Sequence, residues 1–141
     1  MARRAINYQG ADAMKRGFLL CAGFLALVFA VVHMLFWKML GWEQQLRMLT
    51  PENRGVVAML NVAVIYYLLV SALFTFHLAR LERHAALEKA LLLFFAGFYL
   101  ARIAFGVPFF GINAEEIFIW ALCLIAALCY LVPLKMRDLR A

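Results

Sequence analysis

One arginine interrupts a strongly apolar stretch. Arg102 lies in residues 91–111, LLLFFAGFYLARIAFGVPFFG, shortly before a glycine and a proline. A guanidinium stays charged at any accessible pH and is costly in hydrocarbon, so it must snorkel to an interface or find partners inside a bundle. His33 is the one histidine deep in the first apolar run, and Asn61, Tyr99 and Glu116 are the further polar groups that could share a layer with Arg102. Together these types suit an oxygen-bearing ligand: Arg102 to hold an anion or a headgroup, Asn61 and Tyr99 to orient it, and His33 to exchange a proton. Taken singly, each has a plainer role. Arg102 snorkels, His33 donates to a backbone carbonyl, Asn61 pairs two helices, and Glu115 and Glu116 stabilise a helix N-terminus.

The elements that must position these residues are helices. Apolar runs cover about 17–37, 51–81, 86–105 and 114–133, each near the ~20 residues that cross ~30 Å of hydrocarbon. Thr50-Pro51-Glu52 predicts a start for the second helix: a threonine cap, a proline in the first turn and a carboxylate at the positive end of the dipole. Gly106 and Pro108 predict the end of the third, and Asn113 with Glu116 predicts a capping box opening the fourth. The charged turn at 81–89 is short enough to make the second and third helices an antiparallel hairpin. Residues 38–49 mix tryptophan and leucine with charge, as expected of a segment lying in the interface. The expected fold is therefore a single all-α domain, an integral membrane bundle of four transmembrane helices.

Composition agrees. Hydrophobic residues make up 67% of the 141 and charged ones 16%, with a mean hydropathy of +0.87, whereas soluble domains are about half apolar and a quarter charged. The net charge of +6 sits in clusters beside the apolar runs and therefore encodes topology, not nucleic-acid binding. Ten of the lysines and arginines fall on the side of the N- and C-terminal residues and the 81–89 turn, against four on the other, Arg102 included. The positive-inside rule then predicts both termini in the cytoplasm, in a membrane such as the bacterial inner membrane. On that topology His33, some ~24 Å along its helix, shares the outer leaflet with Asn61, Tyr99, Arg102 and Glu116.

On the third helix, Phe95, Tyr99 and Arg102 line one face, while Gly97, Ala101 and Ala104 line a neighbouring one suited to close helix approach. The second helix carries a stripe of Asn61, Leu68, Ser71 or Ala72, and Thr75, read as a packing face, and one of Tyr66 and Tyr67 should point inward. Cys21, Cys123 and Cys129 lack metal-ligand spacing and read as small buried apolar side chains. His33 and His77 lie at opposite depths, against a bis-histidine haem, and His84 in the charged turn reads as solvated. No cofactor or metal is expected, and no hydrolase or nucleotide motif occurs.

Three functions remain. The first is a polar outer-leaflet pocket of His33, Asn61, Tyr99, Arg102 and Glu116 binding a lipid headgroup or a small anionic or amphipathic ligand, alone or as part of a transport assembly. The second is a membrane-embedded enzyme on a lipid or isoprenoid, with His33 as acid or base and Glu116 as its second group. The third is a structural subunit of a membrane complex. The expected partners are membrane lipids, with a homo-oligomer or other membrane subunits as further candidates, and no nucleic acid.

Overall fold

A computed structural model describes residues 2–80 and 85–138. Four long helices dominate: α1 (Ala2–Met39), α3 (Pro51–Leu78), α4 (Ala85–Phe110) and α5 (Ala114–Asp138). A short helix α2 (Trp42–Gln45) and a 3-10 turn at Leu46–Met48 bridge α1 to α3. No strand occurs among the described residues. Within the long helices, Asp12–Met39, Pro51–Leu78, Ala86–Phe110 and Ala114–Met136 are long and apolar enough to cross a membrane. The protein is an all-α integral membrane bundle of four such helices. Successive helices run antiparallel, so residues 40–50 and 111–113 share one end, called here the loop end.

The helix boundaries follow local chemistry, with departures from expectation: α1 begins at Ala2 rather than near residue 17, α5 continues through Pro133 to Asp138, and two ends are built differently. The Thr50 side chain accepts from Asn53 N–H, capping α3 as its sequence predicts. Asn113 Oδ1 accepts from Glu116 N–H at 2.8 Å, but the Glu116 carboxylate does not turn back to complete a capping box. It is drawn inward, to Arg102. Nor does α4 stop at Phe105. Gly106 and Pro108 are accommodated in the helix, which runs to Phe110 and ends at Gly111, whose φ of 71° is the left-handed conformation a helix stop uses. Pro108 lies in the last turn, where it removes one ladder bond, while Gly111 N–H still reaches the Val107 carbonyl. The extra turn carries Arg102 further from the helix end and deeper into the bundle.

Packing is uneven around the bundle. Helix α1 packs closely on α3 and α5, and α5 packs closely on α4. Small residues permit this: Ala22, Ala26 and Ala30 are fully buried one turn apart on α1, and Gly23 admits the Phe76 ring from α3. On α5, Cys123, Ala126 and Ala127 play the same part, whereas Cys21 is exposed. The predicted α3 stripe is the buried face: Asn61, Leu68, Ser71, Ala72 and Thr75. Its hydroxyls are satisfied there. Ser71 donates to the Leu68 carbonyl, and Thr75 to that of Ser71, which leaves the Tyr130 hydroxyl to donate to Thr75 Oγ1 at 3.1 Å.

The fourth side differs. Helices α3 and α4 are the antiparallel neighbours that their short connection predicts, in contact through side chains, but they make little close backbone approach. Large aromatics stand between them: Tyr67 meets Phe94, Phe95 and Phe98, the last at 4.1 Å between ring centroids. Tyr67 is the inward member of its pair and Tyr66 is exposed, but the Tyr67 hydroxyl does not find the partner expected of an inward tyrosine among the described residues. The small stripe Gly97, Ala101 and Ala104 does not mediate close approach either, being exposed on the outside of α4. His84 lies outside the described residues, and His77 is exposed.

Candidate functional site

The polar groups that sequence places in one layer resolve into two contacts and one outlier. Arg102 on α4 reaches across to Glu116, in the first turns of α5, and its Nη2 donates to both carboxylate oxygens at 3.0 Å. Glu116 is 7% exposed, and the Arg102 side chain 30%. Arg102 thus turns inward, and it does so because the last turn of α4 and the first turn of α5 are held side by side by a three-residue loop. The guanidinium also lies over the Phe110 ring, 4.7 Å from its centroid.

The second contact joins α1 and α3. His33 Nδ1 donates to the Phe29 carbonyl at 2.9 Å, and Asn61 Nδ2 donates to the His33 carbonyl at 3.1 Å. His33 also stacks loosely against Phe36, with centroids 4.5 Å apart. These are the plainer roles that each residue type suggested: a backbone-tied histidine and an asparagine that pins two helices. Tyr99 is the outlier. It is 2% exposed, packs against Phe29, Phe98 and Tyr130, and its hydroxyl has no hydrogen-bond partner among the described residues.

Two further residues belong to this layer and were not singled out from sequence as ligand-contacting groups. Trp120 lies one turn beyond Glu116 on α5, and Gly106 one turn beyond Arg102 on α4. A Cβ placed on Gly106 would fall 2.5 Å from Trp120 Nε1 and 2.7 Å from Arg102 Nη1. The two nitrogens are therefore no more than about 5.2 Å apart, close enough for one oxygen to accept from both. Both are buried, and neither has an acceptor among the described residues. The i, i+4 spacing of Glu116 with Trp120, and of Arg102 with Gly106, is the signal that could have found them. Glycine is what lets both donors approach the α4 backbone.

Chemically the site is a neutralised arginine with one free nitrogen beside an indole N–H. Glu116 is held by Arg102 through both oxygens, and no contact joins it to His33 among the described residues, so the general acid–base pair required by the enzymatic reading is not assembled. No group of three or more potential metal ligands occurs among the described residues. At the opposite end, Lys15 of α1 pairs with the buried Glu88 of α4 at 2.5 Å, an ion pair not anticipated from sequence. Comparison with protein-family models, curated proteins and solved structures yields no match for this chain.

Proposed function

We propose that this multi-pass membrane protein binds an oxygen-bearing amphipathic ligand, a lipid headgroup or a small anionic group, in the polar layer at the loop end of the bundle. One observation carries the reading: Arg102 Nη1 and Trp120 Nε1 are buried, without a hydrogen-bond partner among the described residues, and gathered around Gly106. Leaving a buried donor unsatisfied costs roughly 1–3 kcal/mol, and in hydrocarbon no bulk water relieves that cost. An acceptor that reaches both nitrogens recovers it. Arg102 and Trp120 bind the acceptor oxygen, Glu116 holds the guanidinium in place, and Asn61 with His33 fixes the α1–α3 wall behind it.

The charge pattern supports an orientation. The positive-inside rule puts the opposite end, with its basic residues, in the cytoplasm and the loop end on the outer side of a bacterial inner membrane. The ligand then belongs to the outer leaflet.

Trp120→Phe tests the reading because it removes the indole N–H while keeping an aromatic ring. In protein purified from phospholipid membranes, retained phospholipid per chain should fall about threefold to tenfold, the worth of one net hydrogen bond, with the unfolding temperature little changed. Unchanged lipid content together with unchanged binding of inorganic phosphate would refute it.

A further inference from the structure

We infer that the ligand of this site is a phospholipid that enters sideways from the bilayer, through a cleft between α3 and α4. The inference rests on the binding role proposed above and adds the route and the source. Its starting point is the splay of the two helices. At the level of Tyr67 and Phe98 the side chains touch. Seven residues nearer the loop end on each helix lie Leu60 and Phe105, which a heptad step places on almost the same faces and about 10 Å higher. Had the helices stayed together, these two would meet as Tyr67 and Phe98 do. Instead Leu60 is 61% exposed and Phe105 64%. On this reading the cleft is closed below by the Tyr67–Phe98 contact and opens above it, where Leu60 and Phe105 are both exposed and α3 and α4 make little close backbone approach.

Arg102 stands at the inner edge of this opening. It follows Phe98 by four residues and precedes Phe105 by three, so all three share a face of α4. Its side chain keeps partial exposure while Nη2 is engaged by Glu116, and Nη1 remains free beside Trp120. A molecule lying between Leu60 and Phe105 therefore meets apolar walls first and the donor pair at the end. That order matches an acyl chain followed by a glycerol ester or phosphate oxygen.

Charge narrows the class further. The Arg102 charge is already balanced by Glu116, so the site offers two N–H donors with no net charge. Such a site favours an acceptor oxygen on a neutral or zwitterionic molecule over a free anion, which would have to shed its hydration without an uncompensated cation to receive it. A zwitterionic phospholipid meets both conditions. A second concavity, the apolar groove of about 260 Å³ formed by Phe24, Leu27, Val28, Val31 and Val32 on the flank of α1, has no donor and serves as the comparison surface.

The test uses the full chain in phosphatidylcholine nanodiscs that contain a phosphatidylcholine with a photoreactive diazirine near its glycerol backbone. After illumination, label on the peptides around Leu60 and Phe105 should exceed label around Phe24. Leu60→Trp, which fills the cleft, and Trp120→Phe, which removes a donor, should each lower the cleft label about threefold to tenfold and leave the Phe24 label unchanged. Phe24→Trp should leave the cleft label unchanged. Displacement of the cleft label by millimolar inorganic phosphate would overturn the bilayer source in favour of a soluble anion. If Trp120→Phe lowers lipid retention but Leu60→Trp changes no label, the site binds while the lateral route is wrong. If Trp120→Phe alters neither cleft label, lipid content nor phosphate binding, the site itself fails.

Discussion

Arg102 is the residue on which the chemistry turns, and its surroundings show why a single charge in an apolar helix says little by itself. Sequence leaves two outcomes open, snorkelling outward or pairing inward, and the 3.0 Å contacts to Glu116 select the second. Removing one partner of a buried pair leaves an uncompensated group. Glu116→Gln should therefore destabilise the protein by roughly 2–4 kcal/mol, somewhat less than for a fully enclosed pair because Arg102 is partly exposed; denaturant titration in detergent measures this. The double variant Arg102→Met with Glu116→Leu should recover most of that loss, since apolar replacements of a buried pair are often neutral, while phospholipid retention stays low. A second prediction concerns Gly106. Alanine there would bring its Cβ within 2.7 Å of both donors, so Gly106→Ala should displace them and reduce lipid retention as strongly as Trp120→Phe. Alanine is the better helix former by about 1 kcal/mol, so loss of lipid without loss of helix content by circular dichroism would separate the site effect from a folding effect.

At the scale of elements, side-chain size decides which helices approach. The alanine column of α1, with Gly23, draws α3 and α5 close. Ala26 is fully buried in that column. Ala26→Leu should overpack the interface and cost about 1–3 kcal/mol, read as an earlier unfolding midpoint, whereas Ala101→Leu on the exposed face of α4 should shift it little. The stripe of Gly97, Ala101 and Ala104 shows the limit of pattern reading: small residues at helical spacing permit close approach, but which neighbour arrives depends on the other three helices. The same holds for the short connection between α3 and α4. Its length requires antiparallel neighbours, yet Tyr67, Phe94 and Phe98 prop those neighbours apart.

For the whole molecule, two ion pairs among the described residues join long helices at opposite ends of the bundle, Lys15–Glu88 and Arg102–Glu116, and α4 contributes to both. Helix α4 is thereby tied to α1 at one end and to α5 at the other, while it makes little close backbone approach to α3. The predicted orientation is testable at this scale. In intact bacterial cells expressing a variant whose three native cysteines are replaced by alanine, a single cysteine at Gln45 should react with a membrane-impermeant maleimide. One at Lys135 should react only after the cells are lysed. The reverse pattern would place the polar layer in the inner leaflet.

Sequence alone determined the membrane class, the four helices and the Thr50 and Asn113 caps, because each depends on properties local to a few turns: hydropathy over ~20 residues and a cap within three residues. It also determined the buried face of α3, since small and polar side chains recur there at helical spacing. Only the tertiary structure decided what those residues touch. Whether Glu116 closes its own capping box or crosses to Arg102 depends on the distance between two helix ends, and that distance is set by packing along the full length of α4 and α5. Trp120 and Gly106 became visible for the same reason: a tryptophan near an interface and a glycine near a proline are unremarkable in one dimension, and they form a donor site only when two helices are laid side by side.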